Sequence, residues 1–328
     1  MAAAATSTRP ESPAHAQQGA GPAIIAYLFT LRRGRHPLPG AWTTYFAGCE
    51  MDSFAIHIHK DPSFSPPSQN LSNSRFFNNT IIDRSVHIER MGYTMVQARL
   101  YLLRHAVEAA AAAGRPPPRW FAFLSDSDAP TVTCAEAHAY VSTREGKSFI
   151  RVDRPMTQAQ RDLDPMWIKS FSEKTCPLCR DVGIMPAHYR HTTGWITLWL
   201  EHAQLFLSTE ERYAAALRSW TYDRVVMGIA DESYWGTIST AHQLSLWEED
   251  LTYQEPGHSK SGHPALFRPS DVPRVFAAAA VPPRHIFARK FETSYECDAA
   301  IARALAPNRS FPSLVAGRML ARRHTHAV

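Results

Sequence analysis

The chain has 328 residues, of which 45% are hydrophobic and 20% are charged. A chain of this length and composition can bury a large apolar core, which excludes an intrinsically disordered protein and a small disulfide-stabilised domain. The formal net charge is +5, but the basic residues are scattered apart from one group near the C-terminal end, and no aromatic-basic motif accompanies them. The charge therefore does not indicate a nucleic-acid-binding protein.

The two ends of the chain differ from the rest in composition. Residues 1–21 are rich in alanine, serine, proline and glutamine and have neither the charged nor the hydrophobic region of a signal peptide. We expect them to form a disordered leader without a membrane anchor. Residues 306–328 carry grouped arginines and histidines and are expected to form a basic tail. Residues 22–305 are expected to form one domain, in which no stretch reaches the roughly 18 apolar residues of a membrane-spanning helix.

Short apolar runs alternate with helical patterns through the first half of the chain. The apolar runs predict buried strands at 22–31, 53–60 and 120–124, and a shorter strand at 80–83. Helical patterns surround Trp42, Tyr45 and Phe46 and extend over 91–113. This alternation predicts an α/β fold with a mostly parallel sheet flanked by helices.

The second half of the chain is less regular. The region 143–193 is polar and irregular, 194–200 is typical of a strand or a helix entry, and 201–220 is helical. Another helical pattern begins near Glu232, and the block 284–291 closes the ordered part of the chain.

Charged residues and histidines follow the predicted strands, where open α/β sheets bind their ligands. They are His57, His59, Lys60, Asp126, Asp128, Asp231 and Glu232. We expect His57 and His59, which alternate along one strand, to lie on a polar face of the sheet near the cleft. No glycine-rich dinucleotide motif or Walker loop occurs, which argues against dinucleotide enzymes and P-loop ATPases.

Glu232 stands at the start of a predicted helix, directly after an apolar run. Asp231 is expected to be the N-cap of this helix, with Glu232 in its first turn. A carboxylate at such a position, flanked by aromatic residues, can lie at the mouth of a cleft and act as a general base. The alternative is that both carboxylates only stabilise the start of the helix.

A series of short blocks runs along residues 22–291. The blocks are Ala26-Tyr-Leu-Phe, Phe54-Ala-Ile-His-Ile-His-Lys-Asp, Ile88-Glu-Arg-Met-Gly-Tyr-Thr-Met-Val-Gln-Ala, Phe121-Ala-Phe-Leu-Ser-Asp-Ser-Asp-Ala-Pro, Trp195 with Leu198 and Ala203, Ala230-Asp-Glu-Ser-Tyr-Trp, Ser261-Gly-His-Pro-Ala-Leu-Phe and Ile286-Phe-Ala-Arg-Lys-Phe. In this order and spacing they resemble the core-2/I-branching β-1,6-N-acetylglucosaminyltransferases, particularly their plant-type branch.

The resemblance implies a catalytic domain of the GT-A type, a Rossmann-like sheet that uses a UDP-sugar and inverts the anomeric carbon. It implies transfer of N-acetylglucosamine or a related sugar to a glycan or glycoprotein acceptor, in the Golgi. Glu232 would be the base on the acceptor hydroxyl. Lys290 would face the departing diphosphate, and a second cation would lie a little upstream, where Lys260 and Arg268 stand, with Lys260 taken as the nucleotide-sugar contact. Trp195 and Trp235 would contact the acceptor. The alternative is a non-catalytic sugar- or nucleotide-binding descendant of the same fold.

Asp126 and Asp128 have the spacing of the Asp-x-Asp pair that holds a divalent metal on the nucleotide in many transferases. In the family that this chain resembles, the position is not a metal site. We therefore expect both carboxylates among the nucleotide-sugar contacts, without a metal or any other cofactor. The leaving diphosphate would then be stabilised by Lys290, with Phe287 and Phe291 packing inward to hold the backbone on either side.

The five cysteines do not predict a disulfide framework. Three of them are predicted to stand alone: Cys49, Cys134 and Cys297. Cys176 and Cys179, together with His188 and His191, offer the ligands of a zinc site. The gap between the two pairs is shorter than in a zinc finger, so a local disulfide or two free thiols is the favoured alternative.

Overall fold

The computed structural model describes residues 25–31, 38–63, 74–78, 80–89, 92–152, 178–218, 230–255, 264–282 and 284–306. The predicted leader lies outside these ranges, as does the predicted tail apart from Ala306. The prediction of one domain between them stays a prediction.

Within the described ranges the chain forms nine strands and seven α-helices. The strands are β1 (Ile25–Leu31), β2 (Phe54–Lys60), β3 (Trp120–Ser125), β4 (Ala129–Pro130), β5 (Ser148–Phe149), β6 (Thr197–Trp199), β7 (Leu246–Trp247), β8 (Thr252–Tyr253) and β9 (Phe287–Ala288). The helices are α1 (Pro39–Ala47), α2 (Tyr93–Ala112), α3 (Cys134–Ser142), α4 (Leu200–Arg218), α5 (Ala230–Ala241), α6 (Val272–Ala279) and α7 (Tyr295–Leu305).

The main sheet has six strands in the order β2-β1-β3-β6-β5-β7. β2, β1 and β3 pair in parallel, β6 is antiparallel to both β3 and β5, and β5 pairs in parallel with β7. The sheet is therefore mixed, with its long strands parallel, and the predicted α/β class is confirmed. A second sheet has three strands in the order β4-β9-β8, all of which follow β3 in the sequence. The short strand predicted at 80–83 is only an isolated bridge between Ile58 and Ile81.

Side-chain alternation along the central strands divides the core into two layers. In β1, Tyr27 and Phe29 point into a layer shared with α1 and α7, whereas Ala26 and Leu28 point into a layer shared with α2, α4 and α5. Both layers are buried, which is why the run 25–31 is apolar throughout instead of alternating. The two layers fix the position of the carboxyl ends of β1 and β3, where the candidate site lies.

A carboxylate from the last described helix anchors the first helix. Asp298, in α7, accepts hydrogen bonds from the backbone N–H groups of Gly40 at 2.8 Å and Ala41 at 2.7 Å. These N–H groups at the start of α1 have no partner within their own helix, and the helix dipole favours an anion there. The two hydrogen bonds join residues that are 258 and 257 positions apart in the sequence.

A disulfide joins Cys49, just beyond α1, to Cys134, the first residue of α3, with a Cα–Cα distance of 5.4 Å. The prediction that these two cysteines stand alone was wrong, because their separation of 85 residues hides a contact that only the packing of α1 against β4 creates. Cys297 is a free buried thiol, as predicted. In the chain-entropy model, a crosslink of this span stabilises a fold by about 4.5 kcal/mol.

The two histidines of β2 are buried between the sheet and the helices. His57 is 8% exposed with its ring 5.1 Å from that of His105, and His59 is fully buried and accepts a hydrogen bond from the N–H of Val86. The expectation of a polar sheet face near the cleft was therefore wrong. Burial lowers the pKa of each ring to about 4, with His105 adding to the effect on His57 and Asp61 opposing it on His59.

These pKa values make stability depend on pH. Because the folded chain holds both rings neutral, their contribution is complete above the ordinary histidine pKa of about 6.5. It is lost as the pH falls from about 6.5 towards 4, since the unfolded chain then binds more protons. We expect the free energy of unfolding in urea to fall between pH 7 and pH 5 by about 2 kcal/mol per ring. His57→Gln should make this fall smaller, and His188→Gln, at a partly exposed ring, should not. An unchanged fall in His57→Gln would contradict the assignment.

Candidate active site

The turn after β3 contains a buried carboxylate. Asp128 has no solvent exposure, and its Oδ2 accepts hydrogen bonds from the backbone N–H and the hydroxyl of Ser125, both at 2.5 Å. The indole N–H of Trp42 donates to the carbonyl of Asp128 at 3.2 Å. Burial raises the pKa of Asp128 to about 6, against the opposing charge of Arg289. Asp128 therefore organises the turn and is closed to direct contact with a ligand, which corrects its assignment as a nucleotide-sugar contact. Asp126, in the same turn, is half-buried.

Arg289 follows β9 and points into the same turn. Its Nε lies 3.5 Å from Oδ1 of Asp128, and its Nη1 donates to Oε1 of Gln254 at 3.3 Å. Backbone hydrogen bonds tie the block around Arg289 to β8 and to the turn after β3. Burial lowers the pKa of Arg289, and the carboxylates around it oppose that effect, Asp128 first. The guanidinium is thus a fixed positive charge, 13% exposed, at the end of the sheet.

The half-buried ring of Trp195 lies against two guanidinium groups. The Cζ of Arg289 is 3.8 Å from the ring centroid, and the Cζ of Arg99, in α2, is 5.4 Å from it. Arg99 is 2% exposed, and its Nη1 has no hydrogen-bond partner among the described residues. Burial lowers the pKa of Arg99, and the charge of Asp231 opposes this most strongly. Gly194 has φ +72°, a backbone conformation that favours glycine, and the loop passes close to Nη1 of Arg99 at this point.

Glu232 lies in the first turn of α5, and hydrogen bonds hold both its side chain and its backbone carbonyl. Its Oε2 is 2.9 Å from Nε2 of His191, and its carbonyl accepts hydrogen bonds from the N–H of Thr192 at 2.6 Å and from the Thr192 hydroxyl at 3.1 Å. The Glu232 side chain is 33% exposed, and its Oε1 has no hydrogen-bond partner among the described residues. One carboxylate oxygen is therefore fixed, and the other can accept a proton from a bound molecule.

Residues 190–195, which we call the site loop, reach Glu232 because α5 carries a glycine where the loop crosses it. A Cβ at Gly236 would lie 2.6 Å from Cγ2 of Thr192 and 3.0 Å from Cβ of Arg190. No side chain fits between the loop and the helix at this point. The hydroxyl of Thr193 donates to Oδ1 of Asp250 at 3.2 Å, which fixes the loop on its other side.

The charges of the site are arranged around a partly buried centre. Burial raises the pKa of Asp231, while Arg99 opposes the rise and Glu232 adds to it. The carboxylates of Asp128, Asp126 and Glu232 interact favourably with the positive charge of Arg289. The arrangement combines an accessible carboxylate with fixed cations, so it can remove a proton on one side of a substrate and stabilise a developing negative charge on the other.

The structure brings together some of the predicted site residues and separates others. Glu232, Asp126 and Trp195 are partly accessible at the site, and Lys290 is exposed beside Arg289. The flanking Phe287 and Phe291 are each 1% exposed, as predicted for residues that hold the backbone of this block. Lys260 lies outside the described residues.

Two predictions about α5 were wrong. The ring of Trp235 is fully buried against Phe123 and Phe206, so it belongs to the core and cannot contact an acceptor. Trp235 lies almost one helical turn beyond Glu232, and its side chain packs into the layer that α5 shares with α4. Asp231 is the second residue of α5 and not its N-cap.

The contacts made by the four suggested zinc ligands do not fit a zinc site. Cys179 is disulfide-bonded, and Cys176 lies outside the described residues. Nδ1 of His188 accepts a hydrogen bond from the N–H of Met185, whereas the ring of His191 contacts Glu232. A cysteine in a disulfide has no thiolate to offer a metal, and the two rings serve different partners.

Sequence reasoning missed the roles of His191 and Arg99 in this site. His191 was considered only as a metal ligand, and nothing in its local sequence indicates a partner 41 residues away. Arg99 left a signal, since it stands on the buried side of α2 among Val96, Leu100 and Leu103. An arginine on the apolar face of a helix is rare without a specific role, so the position could have been identified from the sequence.

Comparison with known proteins finds a similar curated protein and similar solved structures. The chain is 25% identical over 284 residues to the protein named glycosyltransferase BC10 of Oryza sativa subsp. japonica, a match that covers 77% of this chain and 64% of the rice protein. The chain therefore spans less than two thirds of that relative's length.

Two solved structures resemble the chain at 9% sequence identity. The galactosyltransferase LgtC in complex with donor and acceptor sugar analogues has a TM-score of 0.39, with 87% of this chain and 98% of that chain covered. The apo structure of the bifunctional glycosyltransferase WbbM has a TM-score of 0.41, with 81% of this chain and 45% of that chain covered.

None of the helices in the described part of the chain has the length and hydrophobicity needed to cross a bilayer. The sequence profile of the Core-2/I-Branching enzyme family matches residues 25–277, which is more than half of the 328 residues and includes Trp195 and Glu232. The chain belongs to the Core-2/I-Branching enzyme family.

Proposed function

We propose that the protein is an inverting glycosyltransferase of the GT-A type that moves a sugar from a UDP-sugar to an acceptor hydroxyl. The observation that carries the proposal is the pairing of an accessible carboxylate, Glu232, with the fixed guanidinium of Arg289. Family membership supports sugar transfer, and the rice relative's name supports it further. N-acetylglucosamine is the proposed sugar, and a glycan or glycoprotein is the proposed acceptor.

In the proposed reaction Glu232 removes the proton from the acceptor hydroxyl. The acceptor oxygen forms a bond to the anomeric carbon on the face opposite UDP, and the bond from that carbon to the diphosphate oxygen breaks. The electron pair leaves with UDP, and the proton stays on the Glu232 carboxyl until solvent removes it. A single displacement of this kind inverts the anomeric carbon.

The leaving diphosphate gains negative charge in the transition state, which a fixed cation can stabilise. Arg289 is suited to this because Asp128, Gln254 and the Trp195 ring already hold its guanidinium, so little reorganisation is needed on binding. Lys290, exposed beside it, is proposed to add a second positive charge once the nucleotide is bound. Trp195 is proposed to contact the sugar or the acceptor with the exposed part of its ring.

The disulfides support a proposal about the cellular compartment in which the chain works. Cys49 and Cys134 are bonded to each other and Cys179 is also disulfide-bonded, so three of the four cysteines among the described residues are oxidised. Disulfides persist in oxidising compartments and are rare in the cytosol. We propose that the chain folds and works in the lumen of the secretory route, in agreement with the Golgi expected from the resemblance.

Release of UDP from a panel of UDP-sugars by the purified chain tests the proposal. We expect turnover of at least one UDP-sugar, raised by a glycan acceptor, and a rate unchanged by EDTA because Arg289 and Lys290 replace a metal. Loss of activity in EDTA with recovery in Mn²⁺ would transfer the role to a metal at Asp126. UDP binding without any turnover would instead support a non-catalytic sugar- or nucleotide-binding protein.

A further inference from the structure

We propose that His191 is a positioning residue that fixes the Glu232 carboxylate in the orientation needed to take the acceptor's proton. This inference rests on the proposed function, because it assumes that Glu232 is the base. It concerns a residue of the site loop that comes from a different part of the chain and that was not expected at the site.

The geometry is that of a clamp made by two consecutive residues. His191 holds the side chain of Glu232 through Oε2 at 2.9 Å, and Thr192 holds its carbonyl through both N–H and hydroxyl groups. The clamp itself is fixed, because Thr192 pairs with Val152 in an isolated antiparallel bridge and packs against Gly236. A displacement of the site loop would therefore move the carboxylate with it.

The His191–Glu232 contact has little to contribute to stability. The two side chains are 37% and 33% exposed, and ion pairs with this much solvent around them are worth little to the fold. Its value for positioning is larger, because a free glutamate side chain samples many rotamers. A base must lie within hydrogen-bond distance of the proton that it removes, and small misplacements lower the rate steeply. Holding Oε2 leaves Oε1 as the oxygen presented to the acceptor.

The charges that face Glu232 come from several elements. Asp231 lies beside it in α5, Arg99 comes from α2, Arg289 follows β9, and His191 belongs to the site loop. The hydrogen bond from His191 to Oε2 therefore determines how the carboxylate is oriented among these charges.

The test compares three variants in the UDP-release assay with the best UDP-sugar of the panel. His191→Leu should lower kcat about 10-fold with little change in the KM for the donor, because the base is misplaced while the nucleotide contacts remain. His191→Gln retains an N–H donor and should recover most of kcat. His188→Leu, three residues earlier on a ring that does not contact Glu232, should match the wild type.

The outcomes separate this inference from the proposed function. Wild-type kcat in His191→Leu would overturn the role of His191, even when Glu232→Gln is inactive. Equal losses in His191→Leu and His191→Gln would also overturn it, since the donor would then not matter. If Glu232→Gln is fully active, the proposed function itself fails.

Discussion

Replacing Glu232 by glutamine is expected to lower the turnover of sugar transfer by about 10²-fold or more, which is the usual effect of removing a general base. The amide has nearly the same shape as the carboxylate but cannot take the acceptor's proton. The affinity for UDP should stay close to that of the wild type, because the cations proposed to bind the diphosphate are unchanged. Initial rates of UDP release and calorimetric titration with UDP measure the two quantities.

Glu201→Gln provides a matched control for this experiment. Glu201 is also a glutamate in the first turn of a helix, α4, but it is exposed to solvent. Its replacement should leave both turnover and UDP affinity unchanged. Turnover in Glu232→Gln close to that of the wild type would show that Glu232 only stabilises the start of α5.

Replacing Arg289 by alanine is expected to cost about 2–4 kcal/mol of transition-state stabilisation, the usual size for one electrostatic contact where charge develops. This corresponds to a loss in kcat/KM of roughly 30- to 1,000-fold. UDP affinity should fall as well, which distinguishes this variant from Glu232→Gln. The loss has a second source, because the variant leaves the buried carboxylate of Asp128 without its cation and removes the contact with Trp195.

The control for Arg289 is Arg284→Ala, five residues earlier in the same block. Arg284 makes an ion pair with Glu136 at 2.9 Å, in the first turn of α3 and away from Glu232. Its replacement should leave kcat/KM unchanged. Kinetic constants for Lys290→Ala belong in the same series, and we expect a loss there too. Wild-type kcat/KM in Arg289→Ala with a large loss in Lys290→Ala would assign the diphosphate to Lys290 alone.

The long elements of the fold could be predicted because each carries its own signal. β1, β2, β3, α2 and α4 were all identified within a few residues, since apolar runs and helical periodicity are local properties. The two-residue strands of the second sheet, β4, β8 and β9, carry no such pattern and exist only through pairing with one another. One missed element did leave a signal: α3 begins with a capping box formed by Thr133 and Glu136.

The candidate site was less predictable because its contacts join distant parts of the chain. Glu232 could be proposed from its place after an apolar run and from the resemblance. Its contact with His191 depends on the site loop crossing α5 at Gly236, and a sequence does not give that crossing. Arg289 stands beside the predicted Lys290, but which of the two points inward depends on the turn of Asp128. The disulfide between Cys49 and Cys134 was not predicted for the same reason, because its two cysteines lie far apart in the sequence.

The stereochemistry of the product tests the central claim most directly. The claim is a single displacement on the anomeric carbon, with Glu232 activating the incoming hydroxyl opposite the leaving UDP. Proton NMR during early turnover of an α-linked UDP-sugar, with a glycan acceptor or with water, reports the anomer that forms first. We expect the β anomer, because one displacement inverts the centre. The α anomer as the first product would contradict the single displacement and with it the role of Glu232 as its base.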